Sequence, residues 1–139
     1  MAVDTLSKQA AEAVKFFEAK LAFEIGPVEL QYALKANEPL QILDLRTPEL
    51  FAKGHVPGAI NVNYDDLQKD VSKLDTNKTQ VVYCYNLTCH LAAKAALLLA
   101  QKGLKVRELV GGYDTYAETQ GAKIEGSSCS SADKGHSCA

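Results

Sequence analysis

Hydrophobic and polar positions recur along the chain in two rhythms. Leu6, Ala10, Ala13, Val14 and Phe17 return every three or four residues, with Lys8, Glu12, Lys15 and Glu18 between them. That spacing predicts an amphipathic helix, able to pack on the domain or on a partner. Leu21 to Ile25 either continues the helix or forms a short strand with Phe23 and Ile25 on one face; the strand is preferred, and Gly26-Pro27 ends the element. Pro27 opens a second helix through Leu30, Ala33 and Leu34 to Asn37. Leu40 to Leu45 reads as a buried strand, Pro48 to Gly54 as a brief helix, and Ala59 to Val62 as a third strand. Before that strand, Val56-Pro57-Gly58-Ala59 places Pro and Gly where a type II turn needs a fixed negative and a positive φ. Leu67, Val71 and Leu74 share one face of a helix predicted over Asp65 to Leu74. A fourth strand at Val81 to Tyr83 runs through a short loop into the nearly all-apolar Leu91 to Ala100, a buried helix closed by Gly103. Val106 to Val110 makes a fifth strand, Gly111-Gly112 a tight exit and Tyr113 to Gln120 a last helix. Strands alternating with helices predict a parallel α/β sheet with right-handed crossovers.

The 139 residues suit one domain with a sizeable core. From Gly121 the composition turns to Ser, Gly, Ala and Lys, which is read as a flexible tail. The expected organisation is an N-terminal amphipathic helix over 1–20, the α/β domain over 21–120 and the tail over 121–139. Lys and Arg number 15 against 17 Asp and Glu, dispersed along the chain, so neither nucleic acid nor a membrane surface is an expected partner. The first residues have no positive segment followed by an apolar one, and a cytoplasmic setting follows by default. Four cysteines are few for a disulfide framework and are read as reduced thiols. Cys129, His136 and Cys138 match no compact zinc spacing, and no metal is expected there.

The candidate chemistry lies in Thr79 to Gly103. Cys84 ends the fourth strand, and only Tyr85, Asn86, Leu87 and Thr88 separate it from the following helix, which puts Cys89 in the first helical turn. Amide groups of this loop and of the first helical turn are expected to curl around the Cys84 sulfur. A free thiol has a pKa near ~8.5, and a partly buried charge at a helix N-terminus gains up to ~2 kcal/mol, enough to favour thiolate at neutral pH. The alternative for Cys84 is a buried, inert thiol. Tyr85, Asn86 and Thr88 are read as substrate contacts or as local caps, with capping preferred for Thr88.

Two stretches carry a family resemblance. DLRTPELFAKGHVPGAINV, Asp44 to Val62, and VVYC at Val81 to Cys84, followed by the Ala-rich helix and ELVGGY at Glu108 to Tyr113, resemble the rhodanese-like (single-domain sulfurtransferase) family. The resemblance covers Leu21 to Gln120. It implies an open five-stranded parallel sheet with helices on both faces, no cofactor, and a catalytic cysteine that carries sulfur as a persulfide. By position that cysteine is Cys84. Asp44, Arg46, Glu49 and His55 are expected to brace neighbouring loops, with a satisfied hydrogen bond at His55.

The loop departs from the family pattern. Leu87 stands where Gly is common, Cys89 where Arg is common and His90 where Ser is common. Its retained length resembles the sulfur-carrying members rather than the related phosphatases. Without the arginine, thiosulfate is expected to be a poor donor, with His90 and Lys94 as partial substitutes. Cys89 is read as a resolving thiol or second sulfur carrier, or as a residue packed under the loop. The expected partners are a small sulfane-sulfur donor and a thiol acceptor, with a sulfur-relay protein as a further candidate. Two alternatives stand beside the enzyme: a non-catalytic rhodanese-fold binding or regulatory module that docks a partner on the first helix, and a Cys84/Cys89 redox switch. The tail thiols could also accept sulfur from Cys84.

Overall fold

The computed structural model describes residues 7–120. The elements are α1 (Lys8–Phe23), β1 (Glu24–Ile25), α2 (Pro27–Lys35), β2 (Leu40–Asp44), α3 (Pro48–Lys53), β3 (Ile60–Asn61), α4 (Tyr64–Lys69), β4 (Thr79–Tyr83), α5 (Leu91–Gln101) and β5 (Val106–Leu109). A further helix, α6 (112–120), follows β5. All strand pairs are parallel, in the order β1-β5-β4-β2-β3. The fold is therefore the open five-stranded rhodanese-like α/β sheet that the resemblance implied.

Alternation along β4 divides the core between the two sheet faces. Val82 and Cys84 join Leu43, Leu67, Ala95 and Leu99 on the side of α4 and α5. Val81 and Tyr83 join Ile25, Leu30, Ile42 and Tyr116 on the side of α2 and α6. β2 and β4 are neighbours, yet the chain leaves β2 toward α3 and Phe51 on one face and leaves β4 toward α5 on the other. That divergence opens a crevice at the carboxyl ends of the strands, where ligands of open α/β sheets bind.

Two turns form as their residues predict. Gly58 has φ 82° and Ala59 N–H donates to Val56 O at 2.9 Å, as the type II turn requires. Gly103 has φ 88° after α5, and Leu104 N–H reaches back to Leu99 O at 3.0 Å.

Three expectations are corrected. Leu21 to Phe23 belong to α1, and the strand is only Glu24–Ile25. The Arg107 guanidinium donates to Leu21 O at 3.2 Å and Glu24 O at 2.6 Å, satisfying carbonyls that the end of a helix leaves open. The helix predicted to Leu74 stops at Lys69, because the Asp70 carboxylate accepts from the Ser72 N–H and hydroxyl, both at 2.9 Å. Leu67 and Leu74 still reach the same core cluster. The apolar stripe of α1 is not buried: no residue of the helix is, and Phe16, Phe17 and Leu21 are exposed. Among the described residues, no helix is long and apolar enough to cross a membrane.

Candidate active site

Cys84 follows directly on β4, and its side chain is 2% exposed. The loop after it is built on a tight turn: Cys89 N–H donates to Asn86 O at 3.1 Å, while the Asn86 side-chain oxygen accepts from Thr88 N–H at 3.1 Å and the Thr88 hydroxyl at 2.9 Å. Asn favours such a position because its side chain closes the turn on its own backbone. Leu87 sits at the tip, 74% exposed. The only described non-Gly residue with positive φ is Asn37, so the turn needs no glycine at Leu87. Thr88 does not cap α5 and Cys89 is not in its first turn, because the Asn86 turn holds the Cys89 N–H; the helix starts at Leu91, and His90 takes the cap position with no side-chain bond to it.

The start of α6 holds this loop from below. Tyr113 N–H donates to Cys84 O at 2.9 Å and Asp114 N–H to Tyr85 O at 3.0 Å. Gly112 makes the approach possible: a Cβ there would lie 2.8 Å from Asn86 N, 2.9 Å from Tyr85 C and 3.0 Å from Cys84 O. Its φ of 66° is a second reason for glycine. Gly112→Ala is therefore expected to displace the loop, cutting sulfur loading on the order of tenfold or more. Far-ultraviolet circular dichroism should stay native, and a variant with wild-type loading would show that the loop tolerates the shift.

Cys84 and Cys89 line one cavity of about 70 Å³, roughly twice one water's share of liquid volume of ~30 Å³. Asn86 and Leu87 also line it; Tyr85, Thr88, His90 and Lys94 do not. The two thiols lie near enough for each to bear on the other's ionisation. Burial first, and then the neighbouring Cys89 thiol, push the Cys84 thiol up to about 12, the reverse of the depression expected from the sequence. The physical reason is that the turn consumes donors: the Thr88 and Cys89 amides bond to Asn86, leaving the Tyr85 N–H to favour the Cys84 anion. At Cys89 burial also opposes charge, but the Leu91 N–H, the Cys84 thiol and the Tyr85 N–H together outweigh it and hold this thiol below its ordinary value. Cys89 is also the more exposed of the two. Iodoacetamide at neutral pH is thus expected to modify Cys89 before Cys84, a preference that peptide mapping at partial labelling would reveal or refute.

Two carboxylates absent from the sequence-predicted site close the cavity. Glu24 and Glu108 are register partners across β1 and β5, and both line it. Burial, and then the charge of Glu24, raise the Glu108 carboxyl above its ordinary value, with His90 opposing. Their pairing depends on the β1·β5 register, which no local sequence signal specifies.

Asp44, Arg46 and His55 lie on the bracing side. The Asp44 carboxylate, fully buried, accepts from Arg46 Nη2 at 2.8 Å, Arg46 N–H at 2.8 Å and Tyr83 Oη at 2.5 Å. Arg46 also donates to Gly54 O at 2.6 Å and lies 4.0 Å from the Tyr113 ring centroid. The pair therefore ties β2, β4, the end of α3 and α6 together beside the loop. His55 Nδ1 bonds Phe51 O at 2.8 Å and its ring stacks on Phe51, a satisfied structural histidine. Glu49 is in the first turn of α3. None of these residues lines the thiol cavity. Cys129, His136 and Cys138 lie outside the described residues.

Fold and site together define an α/β domain with a thiol pair cradled at its strand ends. The sequence pattern of the rhodanese-like domain family matches residues 27–119, and the chain belongs to that family. Thiosulfate sulfurtransferase GlpE of Stutzerimonas stutzeri is 29% identical over 104 residues, 74% of this chain and 93% of that protein. The tRNA sulfurtransferase of Pyrobaculum aerophilum is 39% identical over 74 residues, 53% of this chain, and the match spans only 15% of that protein. The crystal structure of BH2092 from Bacillus halodurans superposes with a TM-score of 0.71 at 30% identity, covering 81% of this chain and 84% of that one. The family and the two sulfurtransferases support sulfur transfer at family level.

Proposed function

We propose that this chain is a sulfurtransferase that takes sulfane sulfur onto Cys84 as a persulfide and passes it to a thiol or another nucleophilic acceptor. The observation that carries this reading is the position of Cys84 at the carboxyl end of β4, on a cavity that it shares with a second thiol of lowered pKa. The buried thiol has a base within reach. As Cys84 attacks the donor's sulfane sulfur, its proton passes to the thiolate form of Cys89, which lines the same cavity, and from there to the donor's departing thiolate. Incubation with a small persulfide followed by intact-mass measurement tests it. The chain should gain one sulfur atom, located on Cys84 or already turned over, and Cys84→Ser should gain none in the loop; loading that ignores Cys84 would sink the reading.

The donor we propose is neutral or weakly charged, for two reasons. No guanidinium lines the cavity to clamp a dianion, and Glu24 and Glu108 place carboxylates on its wall. Thiosulfate should serve poorly. Glu108→Gln at pH 8 is expected to raise kcat/KM for thiosulfate on the order of tenfold while changing that for a small persulfide much less. Equal effects on both donors would remove the charge-exclusion argument.

A second reading, a binding module of the same fold, is favoured by the exposed apolar residues of α1: Val14, Phe16, Phe17, Leu21 and Phe23. It predicts no sulfur loading at all. In the enzyme reading the exposed Val14, Phe17 and Leu21, which share one side of the helix, support docking of a sulfur-relay protein as acceptor.

A further inference from the structure

We propose that Cys89 is the internal acceptor of the reaction: its thiolate attacks the inner sulfur of a persulfide on Cys84, closing a Cys84–Cys89 disulfide and expelling hydrosulfide. This rests on the sulfurtransferase reading above and assigns the fate of the sulfur. Three features carry it. The two side chains line the same cavity, so the attacking and attacked sulfurs share one space five residues apart in the chain. The Leu91 and Tyr85 amides, together with the Cys84 thiol, favour negative charge on the Cys89 sulfur, the form that attacks. Cys89 is already part of the wall of the cavity on which the persulfide forms, whereas an outside acceptor has to enter it. Cys84 and Cys89 both lie outside regular elements, so bond closure breaks no sheet pairing or helix turn.

The step balances without an outside oxidant. The bond between Cys84 Sγ and the outer sulfur breaks, the bond between Cys84 Sγ and Cys89 Sγ forms, and the electron pair leaves with the outer sulfur, which departs as HS⁻ carrying the persulfide's proton. The sulfane sulfur is reduced to sulfide while the two cysteines are oxidised to a disulfide. A second turnover requires an external dithiol, which supplies two electrons and two protons and reopens the pair. The product is therefore sulfide together with an oxidised protein that must be reset by a thiol reductant.

The test is a single turnover of the reduced full-length chain with one equivalent of cysteine persulfide, without oxygen or added reductant. It is read by intact mass, peptide mapping and sulfide assay. Wild type should lose the mass of two hydrogens, yield a Cys84–Cys89 bridged peptide and release one sulfide per chain. Cys89→Ser lacks the proton acceptor and should load more slowly, so it is loaded at raised pH; once loaded it should keep one extra sulfur on Cys84 and release none. A wild-type chain that retains the extra sulfur without releasing sulfide overturns the internal attack and leaves sulfur transfer standing. A bridged wild type that releases no sulfide also overturns it, because the disulfide would then form without a persulfide. Absence of both sulfur and disulfide in every form overturns the sulfurtransferase reading itself.

Discussion

Cys84→Ser is expected to lower sulfur transfer by at least about three orders of magnitude with the fold intact. A serine hydroxyl is a far weaker nucleophile toward sulfur than a thiol assisted by a neighbouring base, and it forms no persulfide. The substitution adds no volume to a site that is 2% exposed, so the loop has no reason to collapse. Thermal unfolding close to wild type, combined with loss of turnover, is the expected pair of results. Substantial residual turnover would transfer the nucleophile's role to Cys89, which the double substitution with Cys89→Ser would then have to abolish.

The largest stability effect is expected at Asp44. Asp44→Ala leaves the Arg46 guanidinium in the interior without its counter-ion and strips partners from Arg46 N–H and Tyr83 Oη. Breaking a buried pair from one side costs about 3–5 kcal/mol, because the remaining charge keeps its desolvation cost and loses its compensation. That is a large part of the ~5–15 kcal/mol that holds a typical domain together, and a fall in Tm on the order of 10–20 °C should accompany it. Asp44→Asn, which can still accept from Tyr83, should lose less. Calorimetry of the two variants separates the charge from the hydrogen bonds; equal stability of Asp44→Ala and wild type would mean that Arg46 finds another partner.

The parts of this fold that the sequence announces are those dictated locally. The β-branched run before Cys84, the Pro57-Gly58 turn and the glycine after α5 each carry their geometry in adjacent residues, and each forms as expected. The end of α1 does not, because the group that satisfies its last carbonyls is Arg107, far along the chain. The acidic wall of the cavity was equally hidden, since Glu24 and Glu108 meet only through strand pairing. The loop was half legible. Strand end, turn and helix start are in place around Cys84, but donors were credited to its sulfur that Asn86 takes for the turn itself. The second thiol is visible by spacing, whereas its lowered ionisation beside Cys84 depends on amides that only the folded loop brings to it.

Because Tyr113 and Asp114 fasten the carbonyls of Cys84 and Tyr85, the sheet and the reactive loop make different demands on the polypeptide. A circular permutant with new termini between β5 and α6 would retain every strand pairing yet sever the covalent route by which Gly112 is delivered under the loop. Such a chain should preserve its secondary structure while losing most of its sulfur chemistry, so a spliced or swapped version of this domain has to carry the helix beyond the last strand to remain competent.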